Sequence, residues 1–343
     1  LQPIHVGNSN AVAGKEVNSI KPKDWATIIF TSGSTDSPKA VVHSLANHFY
    51  NALGANERMP LNPGDRWLLS LPMYHVSGLA ILFRTLLSGA AMVIPAKNVS
   101  LSKTLLSWSV THLSLVPTQL HRLLQTTKGK DALCQLKLIL LGGASIPETL
   151  LEQSAQLGLN VQTTYGSTEM ASQVATGKSG FYQVLPFREV RIAADNEVEV
   201  RGKIGFLGYL DGTGLHQPFD ENGWFKTGDI GLWCSKDTKN QGDVDSLKIT
   251  GRKDSMFISG GENIHPEEIE SILLQFGKTE QAIVVAVQDA EFGARPVAFL
   301  KIGEDFSESK LQKFLEKRLA KFKVPDLFLA LPELVESEIK HNR

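Results

Sequence analysis

The first half of the chain alternates short apolar segments with helix-like spacers, and this alternation limits the possible folds more than any other feature. The apolar segments are rich in leucine and β-branched residues, and each has the length of one buried strand: 25–30, 67–71, 92–94, 113–116 and 136–141. Helix-like stretches at 79–87 and 117–126 lie between them. Such strands, joined through helices, favour a mostly parallel sheet covered on both faces. We therefore expect an α/β fold.

The pattern changes after Gly180, where charged and apolar residues alternate. Residues 189–192 and 197–201 read as strands with one exposed face. We expect a smaller β-rich subdomain that extends to about Ile249.

The C-terminal part has an α+β pattern of its own, with elements expected at 266–273, 282–287, 296–301 and 308–319. Pro266 and the acidic residues after it are typical of a helix start. We place a domain boundary near Asp254. This predicts a large N-terminal domain over 1–253 and a small, mobile C-terminal domain over 254–343.

The composition excludes several classes of protein. The chain has 343 residues, 42% of them hydrophobic, and its formal net charge is −1. This balance gives no electrostatic argument for a nucleic-acid or membrane-surface partner. No apolar run approaches the ~18 residues of a membrane span. Only Cys134 and Cys234 are present, and the start of the chain has no signal-peptide pattern, so we expect a cytoplasmic location.

A loop rich in hydroxyl groups directly follows the first apolar strand. Its sequence is Thr31-Ser32-Gly33-Ser34-Thr35-Asp36-Ser37-Pro38-Lys39. Hydroxyls, backbone N–H groups and a terminal lysine together provide donors and positive charge for a polyphosphate. The spacing is not that of a Walker A loop. Composition alone leaves a polar surface loop equally possible.

This loop resembles the phosphate loop of the adenylate-forming superfamily, which includes acyl-CoA ligases, peptide-synthetase adenylation domains and luciferases. Further motifs resemble those of the same superfamily and follow in its order: Tyr165-Gly166-Ser167-Thr168-Glu169, Thr227-Gly228-Asp229, Gly251-Arg252-Lys253-Asp254, Gly260-Gly261-Glu262-Asn263-Ile264 and Ile339-Lys340. An ordered set of motifs is far more specific than any single one.

The resemblance implies a role for each matched residue. Lys340, Thr168 and Glu169 are the expected catalytic residues, and Glu169 would also help to hold Mg²⁺. The expected ATP-binding residues are Thr31, Ser32, Gly33, Ser34, Thr35, Lys39, Gly143, Ala144, Tyr165, Gly166, Asp229 and Arg252. Tyr165 would stack on adenine, and Asp229 would accept hydrogen bonds from the ribose hydroxyls.

Without this resemblance, each of these residues has an ordinary structural explanation. Tyr165 fits a hydrophobic core, Glu169 and Asp229 fit solvated turns, and Lys340 fits an exposed tail.

A second set of residues is similar to one group within the superfamily, the o-succinylbenzoate–CoA ligases. These residues are Leu69 to Gly78, Leu115 to Leu120, Leu140 to Pro147 and Glu291 to Pro296. The similarity implies that His75 lines an acyl pocket and that Arg84 is a counter-ion for the second carboxylate of the acid. It also implies that Gly260 and Gly261 lie beside the arm of CoA and that Asp254 is the hinge.

Some positions depart from the superfamily pattern. Asp36 replaces a glycine of the phosphate loop and adds negative charge near the polyphosphate. Tyr182 also replaces a glycine. By comparison with the superfamily, we expect the sequence to lack about 100 residues before the phosphate loop and a final helix after Arg343.

The function expected from these residues is ATP-dependent ligation of a carboxylic acid to CoA through an acyl-adenylate, with o-succinylbenzoate as the expected acid and menaquinone biosynthesis as the pathway. ATP, Mg²⁺ and CoA are the expected cofactor and substrates, and a homodimer is possible. Three alternatives stay open: a ligase for another aryl or fatty acid, a nucleotide-binding homologue that has lost catalysis, and an adenylation module that serves a carrier protein.

Overall fold

A computed structural model describes residues 21–31, 38–144, 146–234, 245–260, 262–277, 279–302 and 307–332. Its helices, in chain order, are α1 Leu45–Arg58, α2 Val76–Ser88, α3 Leu101–Ser107, α4 Pro117–Leu124, α5 Thr127–Cys134, α6 Glu148–Gln156, α7 Pro266–Leu273 and α8 Glu308–Glu316, with a short 3₁₀ helix at Lys321–Lys323. Its strands are β1 Trp25–Thr31, β2 Lys39–Ser44, β3 Arg66–Leu68, β4 Ala91–Val93, β5 His112–Leu115, β6 Leu138–Leu141, β7 Val161–Ser167, β8 Ser172–Lys178, β9 Phe181–Val184, β10 Arg188–Ile192, β11 Glu197–Gly202, β12 Gly208–Asp211, β13 Gly214–His216, β14 Phe225–Cys234, β15 Ser246–Arg252, β16 Phe257–Ser259, β17 Glu262–Ile264, β18 Thr279–Asp289, β19 Gly293–Ile302 and β20 Leu327–Ala330.

The largest sheet has eleven strands in the order β10-β11-β14-β15-β9-β8-β7-β6-β5-β3-β4. Strands β4, β3, β5, β6 and β7 are parallel to one another, as the alternation of strands and helices predicted. Their completely buried residues, such as Leu113 and Ile139, pack with leucines of α3, α4 and α5 in one hydrophobic core. The parallel half of the sheet therefore follows from the apolar character of its strands.

Most of the β-rich region continues this same sheet, through β9, β10, β11, β14 and β15, whereas its strands β12 and β13 belong to a second sheet. From β7 onward every pair of neighbouring strands is antiparallel, including β9 with β15 at Tyr182 and Leu247. A second core, around Val198, Val200 and Phe225, lies on this half.

The first strand has a different partner from the one that the apolar pattern suggests. Strand β1 pairs antiparallel with β2, and β12 and β13 complete a separate four-stranded sheet. Thr31 and Lys39 lie directly opposite each other at the end of this hairpin. The hairpin therefore brings the two ends of the hydroxyl-rich loop together.

The C-terminal part has its own core. Strands β18, β19 and β20 form a three-stranded sheet, against which α7 and α8 place Ile269, Leu273, Leu311 and Leu315. Helix α7 begins at Pro266 with two glutamates in its first turn, as predicted. The expected fold class, a large α/β region with a small C-terminal α+β domain, is confirmed, and the boundary near Asp254 stays a prediction. In the described part of the chain, no helix is both long enough and apolar enough to span a membrane.

Candidate active site

Several of the predicted residues meet at the carboxyl ends of the central parallel strands. Gly143 and Ala144 follow β6, and Thr168 and Glu169 follow β7. In an α/β sheet, loops at this edge are the usual ligand-binding elements because the chain is free to vary there. Gly143 has a φ of +83°, a backbone conformation that glycine adopts without strain.

Gly166 has a structural reason to be glycine. A Cβ at this position would overlap the backbone of Ser172 in the neighbouring strand β8, where a bulge between Tyr165 and Gly166 brings the two strands close. Glycine at position 166 therefore allows β7 and β8 to approach each other next to Tyr165.

A hydrogen-bonded chain joins Tyr165 to Asp229 and Arg252. The hydroxyl of Tyr165 donates to Oδ2 of Asp229 at 2.7 Å, and Nη1 of Arg252 donates to Oδ1 at 3.1 Å. Asp229 and Arg252 are direct neighbours in the antiparallel pair β14–β15. Three motifs that are far apart in the sequence therefore form one polar cluster.

The electrostatics of this cluster follow from its burial. Asp229 is 8% exposed, and burial raises the pKa of its carboxyl above the usual range, although the hydrogen bonds from Tyr165 and Arg252 act in the opposite direction. Burial and the charge of Asp229 also raise the pKa of Tyr165 well above its ordinary value. Tyr165 therefore stays a neutral hydrogen-bond donor at physiological pH.

Arg252 continues the chain to the predicted hinge. Its Nε and Nη2 donate to the two carboxylate oxygens of Asp254, each at 2.9 Å. This bidentate pair raises the pKa of Arg252, and it lowers the pKa of Asp254 below the usual range.

Glu169 lies beside one end of the phosphate loop. Its Oε1 accepts a hydrogen bond from the hydroxyl of Tyr209 at 2.9 Å, and Nζ of Lys39 lies 5.3 Å from the centre of the Tyr209 ring. Tyr209 of β12 therefore connects the loop lysine to the predicted metal ligand. Among the described residues, no group of three or more His, Cys, Asp or Glu side chains is placed to hold a metal ion.

The expected acyl-pocket histidine lies at the start of α2. His75 is the residue before the first turn of this helix, it is exposed, and its ring contacts that of Tyr74 at 4.6 Å between centroids. Beside it lies a cavity of about 360 Å³, lined by Thr27, Ile28, Ile29, Phe30, Met73, Tyr74 and Leu79. The walls are mostly apolar.

Arg84 is in an unusual environment for a charged residue. It is 1% exposed, and its guanidinium carbon lies 5.3 Å from the centre of the Trp67 ring. Within the described residues, Nε has no hydrogen-bond partner and the side chain forms no ion pair. Burial lowers the pKa of Arg84 to about 9.

The predicted CoA-side glycine, Gly260, lies between β16 and β17. Its φ is +58°, and a Cβ would approach the ring of the exposed Phe292 to 3.0 Å. Arg295 stabilises this corner through a bidentate pair with Asp326 and a hydrogen bond to Ser259.

Other predicted site residues lie outside the part of the chain that the structure describes: Ser32, Gly33, Ser34, Thr35, Asp36, Gly261 and Lys340.

Three residues near the site were not predicted from the sequence. Tyr209 contacts Glu169, while His43 and Asn51 donate to backbone carbonyls around it. His43 and Asn51 are separated from these carbonyls by more than a hundred residues in the chain, so no local motif marks them. The one sequence signal is that His43 directly follows the apolar residues Ala40, Val41 and Val42.

Comparison with known proteins identifies the family to which the chain is similar. Residues 3–208 match the family described as AMP-binding enzyme, and residues 268–338 match the AMP-binding enzyme C-terminal domain. The 2-succinylbenzoate–CoA ligase of Haemophilus influenzae is 41% identical over 93% of this chain and 69% of its own length. The Escherichia coli ligase of the same name is 39% identical over 100% of this chain and 72% of its own length.

Solved structures agree with these relatives. The o-succinylbenzoate CoA synthetase of Bacillus subtilis, in complex with the acyl-adenylate intermediate, has a TM-score of 0.80 and 31% identity, over 92% of this chain and 67% of that chain. The same enzyme with ATP and magnesium ion has a TM-score of 0.79, over 92% of this chain and 68% of that chain.

Proposed function

The chain belongs to the family of AMP-binding enzymes, and we propose that it ligates o-succinylbenzoate to CoA in two steps. In the first step, a carboxylate oxygen of the acid attacks the α-phosphorus of ATP, and pyrophosphate leaves. In the second step, the deprotonated thiol of CoA attacks the carbonyl carbon of the acyl-adenylate, and AMP leaves as the thioester forms. The relatives, which carry the name of this ligase, support the choice of acid.

The cluster of Tyr165, Asp229 and Arg252 is the observation that carries the nucleotide part of this proposal. A carboxylate has about four acceptor positions, and Tyr165 and Arg252 use one each. The remaining positions of Asp229 suit the two ribose hydroxyls. The half-buried ring of Tyr165 suits adenine, because an aromatic face binds a base through stacking.

At the phosphate end, we propose that the loop from Thr31 to Lys39 wraps the polyphosphate. Mg²⁺ neutralises charge on the phosphate oxygens when it is bound. The site fits this ion because Mg²⁺ needs only one or two protein carboxylates when phosphates and water supply its other ligands. Glu169 provides such a carboxylate, with Oε1 held by Tyr209 at 2.9 Å.

Thr168 and Lys340 would complete the first step. We propose that the Thr168 hydroxyl donates to a phosphate oxygen. The ammonium group of Lys340 would stabilise the negative charge that grows between the attacking carboxylate and the α-phosphate.

At the acyl end, the buried charge of Arg84 supports an anionic ligand. Among the described residues this guanidinium has no carboxylate partner, and because a buried unpaired charge is costly, an anion beside it would offset that cost. The second carboxylate of o-succinylbenzoate is such an anion. The apolar cavity next to His75 suits the aromatic ring of the acid.

For the second step, we propose that the C-terminal domain rotates about Asp254 and brings Gly260 and Gly261 beside the pantetheine arm. A side chain at either glycine would obstruct that arm. The rotation opens and closes access to the site and does not itself accelerate the chemistry.

Acid-dependent pyrophosphate release tests this proposal. We would assay purified protein with ATP and Mg²⁺ against o-succinylbenzoate, benzoate, succinate and octanoate, first without CoA and then with it. Of the four acids, we expect only o-succinylbenzoate to cause pyrophosphate release. We expect the thioester to form only when CoA is added. Preference for benzoate or octanoate would identify a ligase for another acid. ATP binding by calorimetry without turnover of any acid would identify a nucleotide-binding homologue.

We also propose a cytoplasmic location, because Cys134 and Cys234 are both free thiols. A homodimer stays a prediction, which light scattering of the purified protein would check.

A further inference from the structure

The turn that carries Thr168 and Glu169 has a backbone that L-amino acids rarely adopt. Ala171 has a φ of +51° and Ser172 a φ of +112°, and neither is a glycine. Such residues persist only where the surrounding structure holds them. Within the turn itself, the N–H of Ala171 donates to the carbonyl of Thr168 at 3.1 Å, and the N–H of Met170 donates to the carbonyl of Ser167 at 3.3 Å.

Buried donors from other elements hold the carbonyls of this turn. Nε2 of His43 donates to the carbonyl of Thr168 at 2.7 Å. Nδ2 of Asn51 donates to the carbonyls of Met170 and Gln173, at 3.0 and 2.9 Å. Arg188 also donates to the carbonyl of Gln173. The donors come from β2, α1 and β10, so three separate elements fix the shape of one turn.

The chemistry of the partners fixes the orientation of both side chains. A backbone carbonyl can only accept, so Asn51 must present its amide N–H groups and His43 must present a ring N–H. As a consequence, Oδ1 of Asn51 and Nδ1 of His43 are buried and have no hydrogen-bond partner among the described residues. A structure rarely leaves such acceptors unpaired. At both positions, the donation to the turn is retained at the cost of an unpaired acceptor.

Both residues are completely buried and direct their N–H groups to backbone carbonyls of the turn, so we assign neither of them a contact with the substrate. His43 is 0% and Asn51 1% exposed. Burial lowers the pKa of His43 to about 4, so the ring is neutral in ordinary buffers and has a single N–H to donate.

We propose that Asn51, together with His43, is a positioning residue for the first step: it holds the turn so that Thr168 and Glu169 face the α-phosphate and its magnesium. This inference rests on the proposed function. A displacement of about 1 Å in such a group can reduce the rate by about 10²-fold even when the substituted residue is remote from the chemistry.

Substitution of Asn51 tests this inference. Asn51→Asp keeps the size of the side chain but puts an oxygen against the carbonyls of Met170 and Gln173. Asn51→Ala only removes the donors. For both variants we expect kcat of acid-dependent pyrophosphate release to fall by about 10- to 100-fold. The Mg²⁺ concentration for half-maximal rate should rise, and KM for the acid should change little.

A matched control separates positioning from loss of stability. Leu133→Ala opens the core beneath α5, far from the turn, and should lower the melting temperature. Per folded molecule it should keep the kcat and Mg²⁺ response of the wild type. Wild-type kcat and Mg²⁺ response in folded Asn51→Asp would overturn the inference.

If the Asn51 variants fail to fold, the pair His43→Gln and His43→Phe decides. Glutamine retains an amide donor, while phenylalanine fills the space without one. We expect the glutamine variant to recover most of the activity that the phenylalanine variant loses. Equal loss in both, with an unchanged Mg²⁺ response, would overturn the inference. Absence of pyrophosphate release by the wild type with every acid would overturn the proposed function, and this inference with it.

Discussion

Tyr165→Phe is the substitution whose effect can be worked out furthest from the structure. It removes the hydroxyl that donates to Oδ2 of Asp229 at 2.7 Å and leaves the aromatic ring in place. Among the described residues, Asp229 then keeps the side-chain hydrogen bond from Arg252, at 3.1 Å. Because Asp229 is 8% exposed, water has little access to replace the lost donor.

The expected loss of stability follows from the charge of the acceptor. A hydrogen bond to a charged group contributes about 1.5–3 kcal/mol, compared with about 1 kcal/mol for a neutral pair. We therefore expect the free energy of unfolding at pH 7 to fall by about 1.5–3 kcal/mol. For a domain of this size, each kcal/mol corresponds to about 2–4 °C in Tm.

The effect should depend on pH in a defined direction. Burial raises the pKa of Asp229 in the folded protein, so the native state binds this proton more tightly than the unfolded state. The contribution of this group to stability is therefore complete below the ordinary pKa of aspartate and is lost as pH rises through the raised folded value. Loss of the Tyr165 hydroxyl raises that value further. The difference between wild type and variant should be largest at neutral pH and shrink toward about 1 kcal/mol in acid.

Urea unfolding of both proteins at pH 7 and at a series of lower pH values would measure this difference. Since the variant retains its ring for adenine, KM for ATP should rise by no more than about 10-fold, equivalent to 1.4 kcal/mol. A stability difference below about 0.5 kcal/mol at pH 7, or one that grows as pH falls, would refute the reasoning about the buried carboxylate.

The remaining predictions concern single side chains. Lys340→Ala should slow adenylation by about 10²-fold or more while the variant still makes thioester from supplied acyl-adenylate and CoA; normal adenylation would contradict this role. His75→Ala should raise KM for o-succinylbenzoate more than KM for ATP, whereas equal changes with a lower Tm would indicate a structural histidine. Arg84→Met should raise KM for o-succinylbenzoate and leave KM for ATP unchanged, because only the acid carries the second carboxylate. Asp36→Gly should tighten ATP binding, measured by calorimetry at two Mg²⁺ concentrations. Two unit negative charges ~6 Å apart repel by about 3 kcal/mol at an effective dielectric near 20, before screening by salt. Weaker binding by the variant would mean that Asp36 contributes to ATP binding by the loop.

The fold could be predicted from the sequence where one pattern determined one element. The strand expected at 136–141 forms at Leu138–Leu141, where every residue is buried, and its apolar character suits its place between β5 and β7. The partner of a strand is harder to predict. Residues 25–30 do form a strand, but β1 pairs with β2 because the hairpin closes between Thr31 and Lys39. Periodicity reports how a segment is buried and carries no information about which neighbour it pairs with.

For the site, the order of the motifs indicated candidate residues but not the contacts between them. Tyr165, Asp229 and Arg252 were each expected at the nucleotide, and the structure adds that they bond to one another. Asn51 and His43 could not be predicted, because their partners are main-chain carbonyls of a distant turn. Any residue provides a carbonyl, so the sequence of the turn contains no sign of its donors.

The spacing within Gly251-Arg252-Lys253-Asp254 has a physical explanation in the contacts of Arg252. A guanidinium has five N–H donors; one is used on Asp229 and two on Asp254, which leaves two. Gly228, with a φ of +73°, provides the space, since a Cβ there would lie 3.1 Å from Nη2 of Arg252. Arg252 can therefore offer two donors to a nucleotide without releasing either carboxylate. Asp254, the proposed hinge, can therefore stay paired with Arg252 while ATP is present, and the proposed rotation requires this bidentate pair to break or to move as a unit.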